Sequence, residues 1–320
     1  MSEIITLHPN KAPEQTGIRN TVFRVLGIQS NVRFSKGARG AIIEIGNSHR
    51  CNQVVAYYPP AYCAYEGDLP KVDRCLQGSL SWDQGIDGYW ALLRGQSVDP
   101  GEYGPALIPR VDATHPGDLD RLIQTIACVQ IPEIKAFLCA VFAEPEIYRP
   151  YVAVPSSLKY HHNRVGGNLE HSLDTLDIAL RMHLCRNQTE QDLLIVGALL
   201  HDIGKIRVYD TDNQLTGTGR LVHHASLTGE ILAVHLRALH TQSPNKANLI
   251  RHLLDRGDKH YPYPISMVRK VLAYADGLSA AIEAERSAFQ DKPDYYWYGW
   301  DNAGCQWIRV MEWSDQCCLT

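Results

Sequence analysis

The sequence has no Cys-x-x-Cys pair, no internal repeat, no low-complexity tract and no apolar run approaching the roughly 20 residues that span a bilayer. Its nine cysteines are an odd set. Both facts argue against a disulfide framework or a cysteine-type zinc knuckle. The opening stretch, MSEIITLHPNKAPEQ, is polar and broken by proline, with no charged-then-apolar leader. A reducing cytoplasm is therefore the expected location, with no membrane partner. No strong charge imbalance is present either: 31 Lys and Arg stand against 35 Asp and Glu, for a formal net charge of −4. That excludes a strongly basic nucleic-acid binder as a whole, while a local basic patch is compatible with the average. What is present is ample core material, 45% hydrophobic residues in 320, enough for one large domain or two ordinary ones.

The patterning changes along the chain. Residues 1–17 read as a flexible tail. Residues 18–96 hold short runs rich in Val, Ile, Phe and Tyr: Thr21–Gln29, Gly40–Asn47 and Asn52–Pro59, each bounded by Gly, Ser, Asn or Pro. GSLSWDQG and YWALLRGQ add one or two more. These predict a small β-barrel or curled sheet, of which an OB-like barrel is one form. Residues 97–118 are dense in Pro and Gly and read as an interdomain linker. From 119 to 290 apolar residues recur at helical spacing. Residues 291–320 form an aromatic extension able to make a strand pair. The expected fold class is α+β, a small N-terminal β-barrel-like domain followed by an all-α domain.

Three of the helical segments carry polar residues where the pattern calls for core. LLIVGALL is continuously apolar, so its helix is buried, yet it runs directly into His201-Asp202. His171 lies in GGNLEHSLDTLDIA, and Asp276 interrupts the apolar VLAYADGLSA. A buried His or Asp is costly without a partner. Taken singly, each is as well explained by a satisfied core hydrogen bond. Three separate apolar helices with such residues are explained together by convergence on one ion. Imidazole with carboxylate suits divalent Mn, Fe, Co, Ni or Zn, and Mg with more oxygen ligands.

The order H…HD…D on helices resembles that of HD-domain phosphohydrolases. The wider stretch is similar to HD-domain 3′-to-5′ exoribonucleases of the YhaM type, which carry an OB-fold ahead of the HD domain. The segments concerned are IPEIKAFLCAVFAEPEIYRPYVAVPSS, KYHHNRVGGNLEHSLD, ALLHDIGKIRVYD, GRLVHHASLTGEIL and VLAYADGLSA. A helical HD region with a YHHNRVGG-like entry also resembles relaxase-associated proteins of conjugative elements. The resemblance implies that His171, His201, Asp202 and Asp276 are metal ligands. It implies that His224 lies near the metal as acid, base or second ligand, and that Lys205 is a phosphate-facing catalytic charge beside Asp202. It further implies that His161 and His162 line the cleft, with Arg164 and Arg207 available to phosphate. One departure stands out: LIRHLLDRGDKHYPYP has Asp255, Arg256, Gly257 and Asp258 where family members often show a His-His pair, which puts a second metal in doubt.

On this reading the function is metal-dependent phosphodiester hydrolysis, with 3′-to-5′ degradation of single-stranded RNA or DNA foremost. In the β domain, Arg19, Arg24, Arg33, Lys36 and Arg39 near Phe23 and Phe34 have the basic-plus-aromatic composition of a strand-binding groove, and equally of an ordinary solvated face. The alternatives are an HD hydrolase of small nucleotides and a non-catalytic nucleic-acid-binding HD protein of a mobile element. A homo-oligomer is compatible with all three.

Overall fold

The structure, a computed structural model, describes residues 17–48, 54–58, 70–158, 162–255 and 264–310. The chain forms two compact units. The first comprises Met1–Val152 with Leu232–Asn248, the second Ala153–Ile231 with Leu249–Thr320. The fold class is α+β.

The first unit contains a closed five-stranded barrel of β1 (Gly17–Arg33), β2 (Arg39–Gly46), β3 (Val54–Tyr58), β4 (Cys75–Ile86) and β5 (Tyr89–Val98), in the order β1-β2-β3-β5-β4. All neighbours are antiparallel except β3 and β5, which pair in parallel through Ala56–Trp90 and Tyr57–Ala91. The long β1 serves two partners, and bulges between Val25 and Gly27 and between Gln29 and Val32 let it bend round the barrel. Period-two burial of Ala41, Ile43 and Ile45 places them in the core with Phe23, Val25, Leu76, Leu80, Trp90 and Leu92. Asp87 and Gly88, both at positive φ, make the two-residue hairpin turn between β4 and β5.

Residues 97–118, expected to be a linker, are instead packed. They form three short 3-10 turns, Pro100–Glu102, Gly104–Leu107 and Arg110–Asp112, with Leu107 and Ile108 fully buried. Gly104 has φ +52, and a β-carbon there would sit 2.8 Å from Cys139. Here Pro and Gly supply tight turns pressed against a helix rather than a solvated spacer. That helix is α2 (Pro132–Ala143). It lies in the first unit with α1 (Pro116–Cys128), α3 (Pro145–Ala153) and α8 (Ala233–Gln242), so the division between units falls after Val152. Helices α1, α2 and α3 each open on proline, whose missing N–H and fixed φ cost nothing at a first turn.

Arg24, expected among the nucleic-acid contacts, is 1% exposed. Its guanidinium donates to the carbonyls of Ala143 (2.7 Å), Asp73 (3.0 Å) and Leu107 (3.3 Å) and lies over the Tyr148 ring. It ties the barrel wall to the turns and helices of its own unit. Phe23 and Phe34 are buried too and offer no face to a base. Arg19, Arg33 and Arg39 remain exposed.

The second unit holds α4 (Gly167–Arg181), α5 (Gln188–Leu200), α6 (Lys205–Val208), α7 (His224–Ile231) and α10 (Met267–Phe289), while α9 (Pro244–Leu254) crosses the division. Helices α4, α5 and α10 pack on one another. Gly197 on α5 has no room for a β-carbon, which would lie 2.8 Å from Leu272 and 2.9 Å from Leu253. The aromatic extension contributes an antiparallel pair, β6 (Tyr298–Trp300) with β7 (Gln306–Ile308), against α10. No helix of the described residues is long and apolar enough to cross a membrane.

Candidate metal centre

The four side chains of the cluster arrive on three pieces of backbone. His171 lies on the second turn of α4, which starts after Gly166 in the left-handed region (φ 80). His201 caps the C-terminus of α5, and Asp202 begins the turn that follows. Asp276 projects from the middle of α10. Ligating atoms of these four side chains all lie within 4.8 Å of one another.

The pairs of atoms are close. His171 Nε2 is 3.0 Å from Asp276 Oδ1 and 3.8 Å from Asp202 Oδ2. His201 Nε2 is 3.4 Å from Asp202 Oδ2 and 3.6 Å from Asp276 Oδ1. Donors held at about 2.0–2.2 Å from one ion are no more than about 4.4 Å apart, so these separations suit a shared cation. Both imidazoles are oriented from behind. His171 Nδ1 is 3.1 Å from Ser279 Oγ, and His201 Nδ1 donates to the Ala198 carbonyl at 2.9 Å. Those outward contacts turn both Nε2 atoms toward the carboxylates. His201 Nε2 is buried and makes no hydrogen bond. Such an orphaned atom in a nest of carboxylates fits a divalent ion. Asp276, with 32% of its side chain exposed, is the open side of the cluster.

The protonation states agree with a ligand set. Burial pushes His171 down to about 4, against the pull of the Asp276 hydrogen bond, so it is a neutral donor. Burial also opposes charge on His201, but the Asp202 and Asp276 carboxylates outweigh it and raise its pKa. Burial tends to raise Asp202, yet the charges of His201 and Lys205 and the adjacent His224 imidazole hold it well below the usual carboxylate range. Asp276 is likewise lowered, burial being outweighed by the His171 hydrogen bond and by the His201 imidazole beside it. Without metal, protonated His201 supplies the missing positive charge. A binding ion must displace that proton. Between pH 6.5 and the raised pKa of His201, binding is therefore expected to release about one proton per ion, fewer as pH rises further, and affinity to fall as pH falls. Calorimetric titration of metal in buffers of different ionisation enthalpy measures the count. Equal heats in all buffers near pH 6.5 would contradict it.

The residues around the cluster are arranged as follows. Lys205 is 6% exposed, with Nζ 2.5 Å from Asp202 Oδ2 and 2.8 Å from Ser156 Oγ. It therefore faces the Asp202 carboxylate of the cluster. His224, the first residue of α7, sets Nε2 3.2 Å from the other oxygen, Asp202 Oδ1. Gly204 allows this: a β-carbon there would fall 1.9 Å from the His224 carbonyl oxygen. His162 is buried behind the cluster, its ring 5.2 Å from that of His171 and its Nε2 3.3 Å from Asp174. Arg164 is engaged by Glu170 and by Glu283 at 2.8 Å, and Arg207 is exposed on α6. His161, Arg256, Gly257, Asp258 and His260 lie outside the described residues, and Asp255 is exposed at the end of α9. Ser156 and Ser279 were not singled out from sequence. The one available signal was Ser279 one helical turn beyond Asp276, on the same face of an apolar helix. Beside the cluster, His162, Asp174, Arg181, Ser279 and Arg286 help to line a polar cavity of about 260 Å³.

A His–His-Asp–Asp cluster held by three packed helices is the mark of one domain class, and residues 168–281 match the HD domain. The chain thus carries an HD domain with a cluster able to bind a divalent metal ion. Over 156 residues it is 28% identical to the 3′-5′ exoribonuclease YhaM of Bacillus licheniformis, covering 46% of this chain and 49% of the relative. It is 25% identical over 187 residues to the 3′-5′ exoribonuclease YhaM of Bacillus subtilis, covering 56% and 58%. It is also 28% identical over 100 residues to the dihydroneopterin 2′,3′-cyclic phosphate phosphodiesterase of Methanocaldococcus jannaschii, covering 27% of this chain and 40% of the relative. The chain spans about half the length of the curated YhaM relatives it matches. No solved structure matches.

Proposed function

We propose that the chain is a metal-dependent phosphodiester hydrolase of the cytoplasm that shortens single-stranded RNA or DNA from the 3′ end. The observation that carries this reading is the convergence of His171, His201, Asp202 and Asp276 on one point. The strand-shortening part is supported by the exoribonuclease relatives and by a five-stranded barrel, which agrees with an OB-type strand binder. Arg19, Arg33 and Arg39 are exposed cations on its strands.

The four side chains would hold Mn, Mg, Fe, Co, Ni or Zn. When bound, such an ion supplies positive charge at a phosphoryl oxygen and makes a water molecule acidic near neutral pH. The chain's own groups set the rest. Asp202 uses both oxygens: Oδ2 turns to the cluster and Lys205, and Oδ1 lies 3.2 Å from His224 Nε2. Lys205, steadied by Ser156, keeps Asp202 ionised. His224 sits beside the ligand carboxylate, within reach of an attacking water or a leaving oxygen, and is the group assigned to move a proton. Arg207 is the exposed guanidinium available to phosphate, whereas Arg164 would first have to leave two carboxylates.

The test is incubation of the purified chain and Mn²⁺ with single-stranded RNA and DNA labelled at either end. A 5′ label is expected to give a descending ladder and a 3′ label to be released at once as mononucleotide. No shortening with any of the six metals would end the proposal. A second reading, hydrolysis of a small cyclic or mononucleotide phosphate, is favoured by the phosphodiesterase relative of the HD segment. Turnover confined to such compounds would select it.

A further inference from the structure

Helix α10 turns Asp276 inward and leaves an apolar face outside. Val268, Val271, Leu272 and Ala275 are buried. Tyr274, Leu278 and Ile282, spaced four residues apart, are 68%, 47% and 46% exposed. Alongside this ridge runs a groove with the same spacing, made by Ala273, Gly277 and Ala281. A β-carbon built on Gly277 meets nothing within 4 Å, so the groove is open. A cation and an anion close the two ends: Lys270 toward the N-terminus and Glu285 toward the C-terminus, both exposed.

We propose that this face docks a second copy of the chain, α10 against α10, antiparallel about a twofold axis between Gly277 and Leu278. A twofold contact must be complementary to itself, and this face is. Pairs equally far from the axis set large against small at three levels. Tyr274 meets Ala281 of the second copy, Leu278 meets its Gly277, and Ile282 meets its Ala273. Rows of residues four apart are the ridges and grooves by which helices interdigitate. The same symmetry sets Lys270 of each copy against Glu285 of the other. A parallel pairing would oppose Lys270 to Lys270 and tyrosine to tyrosine, and loses both matches. An apolar face with an acid at one end is also poorly suited to a polyanionic strand. A single helix pair stands at the low end of interfaces that bury about 1,200–2,000 Å², so the dimer is expected to be concentration-dependent.

Sedimentation equilibrium of the full chain between about 1 and 100 µM tests this, in the range where a modest interface titrates. The weight-average mass is expected to rise from once toward twice that of the chain. Lys270→Glu and Glu285→Lys are each expected to weaken association at least about tenfold at low salt, and the double variant K270E/E285K to return to within about threefold. Gly277→Leu fills the open groove and is expected to abolish the dimer with no loss of thermal stability. A monomer throughout the range overturns the proposal. If Tyr274 of that monomer resists hydroxyl-radical labelling, another part of the chain covers the face. If Tyr274 is labelled, the face is uncovered. Charge reversals without effect, or a double variant that does not recover, overturn it as well. None of these readouts involves metal or hydrolysis.

Discussion

Asp202→Ala is expected to abolish metal binding and to lower phosphodiester hydrolysis by at least about 10³-fold, because a ligand and the anchor of His224 are lost together. The same substitution is expected to destabilise the metal-free fold by about 3–5 kcal/mol, for a separate reason. Lys205 is buried, and its ammonium lies 2.5 Å from the carboxylate that the substitution removes. Ser156 Oγ is its other acceptor and carries no charge. Truncation thus strands a buried cation. Adding Lys205→Met removes that cation in a side chain of similar length, so the double variant D202A/K205M is expected to recover most of the stability and none of the activity. The pattern separates the two roles of Asp202. Urea unfolding without metal, beside hydrolysis and metal titration of both variants, reads it out. Activity in either variant above about a tenth of wild type would remove Asp202 from the site, since a ligand loss of this kind costs orders of magnitude. Unfolding free energies that agree between wild type and Asp202→Ala would show that Lys205 is not held as described.

The helical half and the ligand candidates were legible because they rest on contrast along the chain. An acid in VLAYADGLSA, or His-Asp after LLIVGALL, stands out against apolar neighbours, and the helices appear where the spacing puts them. What was not legible rests on cover from elsewhere in the chain. Arg24 alternates with Phe23 and Val25, so its strand pattern points it outward. It is buried because the turns near Leu107 and the end of α2 fold over that wall. The segment 97–118 has linker composition, but composition is the same for a solvated spacer and for tight turns packed on a helix. Lys205 reads as a phosphate-facing charge, and its burial against Asp202 exists only once the turn closes. Ser156 and Ser279 are neither apolar nor charged, so nothing marks them before the cluster is assembled.

Gly204→Ala is expected to lower hydrolysis by about 10–100-fold, the cost typical of losing a residue that supports a ligand from behind. Local propensity points the other way. Gly204 has φ −58 and ψ −21, ordinary right-handed helical values, where alanine is normally better than glycine by about 0.4–1 kcal/mol. The obstacle is steric. The added β-carbon would stand 1.9 Å from the carbonyl oxygen and 2.7 Å from the carbonyl carbon of His224. Backbone cannot yield as a flexible side chain can, so the first turn of α7 must move away from the turn holding Asp202. His224 Nε2 then leaves Asp202 Oδ1, now 3.2 Å away. Metal affinity is expected to fall less than activity, because His171, His201, Asp202 and Asp276 all lie outside α7. Gly229→Ala is the control. Gly229 is on the same helix with nothing within 4 Å of its would-be β-carbon, so that variant is expected to gain up to about 1 kcal/mol of stability and keep full activity. If Gly204→Ala behaves like Gly229→Ala in both thermal melts and hydrolysis, close approach of α7 to the His201-Asp202 turn plays no part in the reaction, and His224 loses its assignment as the proton-moving group.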